Sequence, residues 1–354
     1  MNKITKLSFA GERIYCGIDV HKLSWRVNIR NEEFELEDYS QQAEEEILLS
    51  HLRKNYPDAE YELVYEAGFS GFGLQRSLQS KGIKCLVINA ADVPSSDKDK
   101  RRKSDCIDAR KLSKALGNGL LKGVFVPQLE MEHIRTLVRQ RDRLVQDQIR
   151  CKARIKHLLL FSGLKVNEDG CWSGAYIKRL EELDCGDIHL RQALNLALQE
   201  YKAIRTLTAQ AQGYLRKLSQ QQPYAKIVSL LRSIPGIGLI NAMVIMSEIQ
   251  DIARFKTLDK LCGYAGIVPD LHGSGEEQNV RGITRRSNCY LREAIVESSW
   301  SIIRKDPVML MSYNQYRKRM HPNKAIIKIA RHLLNRIRYV WLKEVPYQTG
   351  RTDF

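Results

Sequence analysis

The chain has 354 residues, with 57 Lys+Arg against 41 Asp+Glu, 43% apolar and 28% charged, a length that predicts two or three domains and excludes a small disulfide-stapled scaffold. No apolar run approaches the ~18 residues of a membrane span, and Met1 to Phe9 hold neither an apolar stretch nor a small-residue cleavage site, so the sequence predicts no membrane partner and a cytoplasmic location. Eight cysteines are scattered without a CxxC or a Cys/His cluster of zinc spacing, which predicts reduced, mostly buried thiols.

Residues 13–30, RIYCGIDVHKLSWRVNIR, mix β-branched and aromatic residues with partial alternation and predict one strand turning into a second. Residues 32–39 predict a third strand. Residues 41–55 predict a helix, with Ile47, Leu48 and Leu52 at helical spacing. Tyr61 to Ala67 then predicts a strand ended by Gly68, Gly73 to Gln79 a helix, and Lys84 to Asn89 an apolar strand. The order β-β-β-α-β-α-β, followed by a basic segment from Lys98 to Lys103 and a helix over 104–116, makes residues 1–125 an α/β domain.

From residue 129 the pattern changes to long helices. Ile134, Leu137, Leu144, Val145, Ile155 and Leu158 follow a loose heptad interrupted at Arg141 and Gln148, and Leu194, Leu198, Tyr201, Ile204, Leu207, Ala211, Leu215 and Leu218 form a second. Two accounts fit residues 126–222: an intramolecular helical hairpin, or a coiled coil joining protomers. Asn167 to Gly174 and Asp184 to Asp187 carry the turn residues of a linker. A third unit, 223–345, is predicted to be mostly helical and broken by a glycine-rich loop at 263–283; residues 346–354 form a tail.

The charge is segregated. Residues 1–96 hold 11 Lys+Arg against 15 Asp+Glu, whereas the remainder holds 46 against 26. A basic excess confined in this way fits a polyanion, because each cation set on a phosphate releases condensed counterions. Lys98, Lys100, Arg101, Arg102 and Lys103 form the densest basic tract.

Four acids stand out. Asp19 sits mid-strand within GIDVH, where a charge is costly unless it serves a purpose. Glu66 closes the strand YELVYEAG, and Asp105 and Asp108 in KSDCIDARKL are three apart on a helix, hence on one face. In a five-stranded sheet of the ribonuclease H type all four would converge. Like charges within ~4–6 Å raise one another's pKa, so such a set calls for hard cations, Mg2+ or Mn2+, which also suit phosphoryl transfer.

Pro235-Gly236-Ile237-Gly238 lies between two helical patterns, where glycine permits a tight turn and lets the amides of the next helix approach a phosphate. This is the signature of a helix-hairpin-helix, with Gly236 and Gly238 as its DNA contacts. Further on, Ser274 stands between Gly273 and Gly275, followed by Arg281, Arg285 and Arg286. A serine so flanked is open to attack a phosphodiester, and the arginines can neutralise the charge that develops.

With these motifs the chain resembles the transposases of the insertion-sequence 110/1111 family. GIDVHK, YEAG and KSDCIDARKL resemble the DEDD motif of the family's RuvC-like domain, and IPGIG, LCGYAGIVPDLHGSGEE and RGITRRSNCYLREAI resemble its carboxyl-terminal transposase domain. Ser287 stands where that motif usually has glycine. The resemblance implies a RuvC-like (ribonuclease H-like) domain, a coiled-coil connection and a mostly helical transposase domain. It also implies a nucleophilic Ser274 that forms a covalent phosphoserine link to DNA, assisted by metal held at Asp19, Glu66, Asp105 and Asp108. The implied partners are donor and target double-stranded DNA, a noncoding bridge RNA that pairs with both, and further copies of the chain, as dimers assembling into a tetramer. The alternative is a Holliday-junction resolvase-like, metal-dependent nuclease with no covalent intermediate; a purely architectural nucleic-acid-binding protein would leave the four ordered acids without a role.

Overall fold

The computed structural model describes residues 8–93, 105–165, 172–274, 277–284 and 287–350, and the chain divides into two compact units, Met1–Val126 and Pro127–Phe354. The tract Lys98, Lys100, Arg101, Arg102 and Lys103, together with Arg285 and Arg286, lies outside the described residues.

The first unit runs β1 (Arg13–Val20), β2 (Ser24–Arg30), β3 (Glu35–Gln42), α1 (Glu45–Asn55), β4 (Glu60–Glu66), α2 (Gly73–Ser80), β5 (Lys84–Ile88) and α3 (Asp105–Gly117), the order expected of it. Its third strand extends further than its sequence suggests, because Tyr39 to Gln42 stay paired with Ser24 to Val27 of β2. The five strands form one sheet in the order β3-β2-β1-β4-β5. β2 is antiparallel to β1 and β3, while β4 runs parallel to β1 and β5.

Alternation along the strands sorts the side chains into two layers. Ile14, Cys16 and Ile18 pack with Leu48, Leu49 and Leu52 of α1 and Leu78 of α2. Tyr15, Val64 and Ile88 face the other way and pack with Leu112 and Leu116 of α3. Helices therefore cover both faces. A Cβ on Gly17 of β1 would stand 2.2 Å from the Ala109 carbonyl oxygen and 2.5 Å from the Ser113 amide of α3. Glycine here is what lets helix and sheet touch. Gly17→Ala is expected to cost about 1–3 kcal/mol by overpacking, measured as a lower urea midpoint at unchanged slope.

The second unit opens with α4 (Leu129–Phe161), α5 (Gly174–Glu182) and α6 (Ile188–Leu218). The two heptad runs pack on each other within the chain: Cys151, Ile155 and Leu159 of α4 meet Leu194, Leu198 and Tyr201 of α6, while Ile134, Val138 and Leu215 share the larger core. The helices are thus antiparallel. Leu207 faces out at 48% exposure, and Thr208 takes the buried position beside it, because a straight helix drifts away from a strict seven-residue repeat. The expected linker contains a helix, α5, capped by Ser173, whose hydroxyl accepts from the Tyr176 amide, and buried through Tyr176, Ile177 and Leu180. Asp187 is the N-cap of α6, accepting from the His189 and Leu190 amides.

Beyond these lie α7 (Tyr224–Arg232), α8 (Leu239–Ile249), α9 (Leu258–Ala265), β6 (Pro269–Ser274), β7 (Glu277–Ile283), α10 (Cys289–Ile302), α11 (Pro307–Arg317) and α12 (Pro322–Lys343). The glycine-rich loop expected at 263–283 is instead the end of α9 and an antiparallel hairpin. Gly266, at φ +70°, stops α9 in the left-handed conformation, and Leu271 then pairs with Val280 and Gly273 with Gln278. Gly266 also makes room for Ser287, whose Cβ would lie 2.1 Å from a Cβ at 266.

No helix among the described residues is long and apolar enough to cross a membrane. Cys16, Cys85, Cys151, Cys185 and Cys262 are free and buried, and Cys289 is free and exposed. Burial pushes the Cys85 thiol up to about 12, keeping it protonated and unreactive.

Candidate functional site

Asp19 is the penultimate residue of β1 and not mid-strand, so its charge lies at the carboxyl edge of the sheet, where a strand interior is not disrupted. Glu66 ends the neighbouring parallel strand β4. The β1–β4 register closes with Ile18 opposite Tyr65, which makes Asp19 and Glu66 the next residue on each strand. Ile18 and Tyr65 both belong to the α1–α2 layer; by alternation Asp19 and Glu66 belong to the α3 side.

The direction of α3 follows from its two close contacts with β1. Gly17 lies against Ala109 and Ser113, and Gly117 lies against the Tyr15 ring, 3.2 Å from where its Cβ would be. Helix and strand are therefore antiparallel, and the first turns of α3, with Asp105 and Asp108, come at the Asp19 end. The positive end of the helix dipole falls at the same end, which favours negative charge there. Ser113 Oγ donates to buried Asn28 of β2 at 2.5 Å, fixing the helix across the sheet.

Asp19 Oδ2 is 3.2 Å from His21 Nε2, and its side chain is 24% exposed. Asp108 pairs with Lys111 at 3.7 Å. Asp38 of β3 belongs to the same side of the unit but is held in ion pairs by Arg26 and by Arg110 of α3. That pairing sets Asp38 apart as a structural acid. Oxygen donors at a carboxyl edge suit a hard divalent cation in kind; among the described residues no three acids, histidines or cysteines stand close enough to enclose one.

Ser274 is the last residue of β6, paired in register with Glu277 of β7, and Arg281 lies within β7. Gly236 and Gly238 sit in the turn from α7 to α8. Gly236 has φ +96°, and a Cβ there would stand 2.9 Å from the Ser298 carbonyl and 2.8 Å from the Ile302 amide of α10, so packing alone demands glycine. Gly238 is exposed, has open space around it and caps α8 without any side-chain hydrogen bond.

Sequence reasoning missed a buried polar network. Glu248 of α8 is 0% exposed and takes both arms of Arg139 of α4, at 2.7 and 2.8 Å. It also accepts 2.7 Å from Asn288, which caps α10 two residues after Arg286. Arg139 stacks over Tyr290 at 4.7 Å. The lone charge in the apolar run NAMVIMSEIQ was the available signal. Arg139→Met would strand a buried carboxylate and should cost about 3 kcal/mol, whereas Arg139→Met with Glu248→Leu should cost less than the two single changes added, a double-mutant cycle in denaturant.

A mixed sheet with carboxylates at its edge, followed by a largely helical region, defines the class of this chain. Residues 16–162 match the DEDD, IS110-type family described as transposase, and residues 228–314 match the family described as transposase IS116/IS110/IS902. The chain belongs to this IS110 family of transposases. It is 31% identical over 237 residues to the y4qE protein of Sinorhizobium fredii, covering 67% of this chain and 57% of that protein. It is 25% identical over 248 residues to the transposase for insertion sequence element IS1533 of Leptospira borgpetersenii, covering 68% and 70%. To the transposase for IS1111A of Coxiella burnetii it is 26% identical over 237 residues, covering 65% and 62%. The match thus spans little more than half of y4qE. Membership of a DEDD family implies a divalent metal ion.

Proposed function

We propose that this protein cuts and rejoins DNA strands through a covalent phosphoserine link at Ser274, assisted by a divalent cation at the acidic edge and guided by an RNA that pairs with donor and target DNA. The observation that carries the reading is the placement of Asp19, Glu66 and the first turns of α3 at one end and on one side of the sheet. Strand order β3-β2-β1-β4-β5 with one antiparallel and one parallel half supports a RuvC-like assignment of that unit.

Asp19, Glu66, Asp105 and Asp108 would hold the cation, Mg2+ or Mn2+, which when bound supplies charge stabilisation to a phosphoryl group. The chain's own chemistry is a transesterification. The Ser274 hydroxyl forms the new Oγ–P bond, the bond from phosphorus to the leaving strand oxygen breaks, and the serine proton ends on that oxygen. One phosphoester replaces another, so the reverse reaction can join a new strand without an external energy source. Arg281, Arg285 and Arg286 follow the serine closely enough in sequence to neutralise charge on the phosphate. Gly238, exposed and with open space around it, supports the reading of α7–α8 as a helix-hairpin-helix on DNA, while Gly236 serves packing. Residues 126–222 form a helical, coiled-coil-like connection, and the working assembly is dimers joined into a tetramer in which acids and serine come from different protomers.

The test supplies the purified protein with a guide RNA, donor and target duplexes and Mg2+, taken from the DNA flanking the coding region. Strands joined between the two duplexes are expected. Nicked or cut DNA with no joining would instead favour a hydrolytic nuclease.

A further inference from the structure

The end of α6, α7 and the start of α8 enclose an open-mouthed cavity of about 640 Å3, lined by Arg216, Gln220, Ser229, Arg232 and Leu239 among others. The two other serines on its wall are committed locally: Ser219 Oγ donates to the Arg216 carbonyl, and Ser233 Oγ donates to the Leu230 carbonyl while accepting from the Tyr347 amide. The side chains of Arg216, Gln220, Ser229 and Arg232 have no such partner among the described residues, and both arginines are exposed.

An arginine in the last turn of a helix is ordinarily explained by the helix dipole. That accounts for Arg216 on α6 and for Arg232 on α7 singly. It does not account for two guanidiniums from different helices meeting on one cavity whose lining contains no carboxylate. Leu239, the first residue of the 11-residue helix α8, also lines the cavity, and the amino end of that helix carries no side-chain cap.

We infer that this cavity seats a backbone phosphate of duplex DNA, held by Arg216 and Arg232 in concert with the amino end of α8. The inference rests on the reading of α7–α8 as a DNA-contacting hairpin and extends it to residues outside the hairpin turn. Guanidinium forks suit phosphate oxygens. The lining has no aromatic ring, and single-stranded nucleic acid is held chiefly by stacking on such rings, which points to the duplex backbone as occupant.

The experiment measures binding of the full chain to a duplex of about 30 bp by fluorescence anisotropy across salt. Arg216→Gln with Arg232→Gln is expected to reduce the log–log salt slope by about 1–2 units and affinity by about tenfold or more. Ser229→Phe, an uncharged block on an exposed position, is expected to lower affinity as well. Unchanged melting temperatures establish that both variants remain folded. Wild-type affinity and slope in the arginine variant would overturn the inference, as would loss in the arginine variant with none in Ser229→Phe, which would assign the arginines a long-range charge effect. Loss toward duplex RNA of equal length but not toward DNA would overturn the choice of DNA. If the wild type binds no DNA, the hairpin reading itself fails; if only the variants behave like wild type, the cavity alone fails.

Discussion

Asp19→Ala, Glu66→Ala, Asp105→Ala and Asp108→Ala are each expected to reduce DNA strand cleavage by at least about 100-fold while leaving the first unit folded. Loss of a group that merely supports a metal ligand already costs 10–100-fold, and these residues are proposed as the ligands themselves. Stability should move little. Asp19 gives up a partly exposed contact with His21, and Asp108 a 3.7 Å pair with Lys111, both in the range of surface ion pairs worth less than about 1 kcal/mol. Without metal, removing one carboxylate also relieves repulsion among the rest. Thermal melts with chelator should therefore match or exceed the wild type, and cleavage assays in Mg2+ should collapse. Full activity in any one variant removes that residue from the site. Asp38→Asn offers a contrast: it breaks ion pairs with Arg26 and Arg110, so its effect should be on stability first.

Ser274→Ala is expected to abolish the protein–DNA adduct and the recombinant product while keeping nucleic-acid affinity within about twofold. The position ends a strand beside a glycine, and exchanging a hydroxyl for hydrogen removes no charge. Ser274→Cys should retain a trace, because a thiolate is a nucleophile but is longer and activated differently. If the acids and the serine meet across protomers, mixing Asp19→Ala with Ser274→Ala should restore some product; no restoration would place the whole site within one chain.

Much of the first unit was legible in the sequence because its strands are short, β-branched and bounded by glycine or charge. Asp19 read as a mid-strand charge only because the end of β1 at Val20 leaves no turn residue of the usual kind. The hairpin β6–β7 was hidden by its composition: glycine and polar residues around Ser274 look like a loop, and cross-strand pairing, not propensity, makes them strands. Helix α5 was masked by the turn residues on both sides of it, which turn out to be caps. The heptads of α4 and α6 announced a partner but not which one, since intramolecular and intermolecular seams need the same apolar spacing. Glu248 was the clearest loss. A buried carboxylate is tolerable only with partners, and Arg139 and Asn288 are 109 and 40 residues away in sequence, beyond the reach of any local pattern.

A side chain of this protein that becomes bonded to DNA can be identified directly. Protein incubated with guide RNA, both duplexes and Mg2+ is denatured, the DNA-linked species is isolated and digested with nuclease and protease, and the modified peptide is sequenced by mass spectrometry. A phosphodiester-linked nucleotide is expected on Ser274 in the wild type and none in Ser274→Ala. Efficient cleavage with no linked peptide, or a nucleotide mapped to another residue, would contradict that expectation.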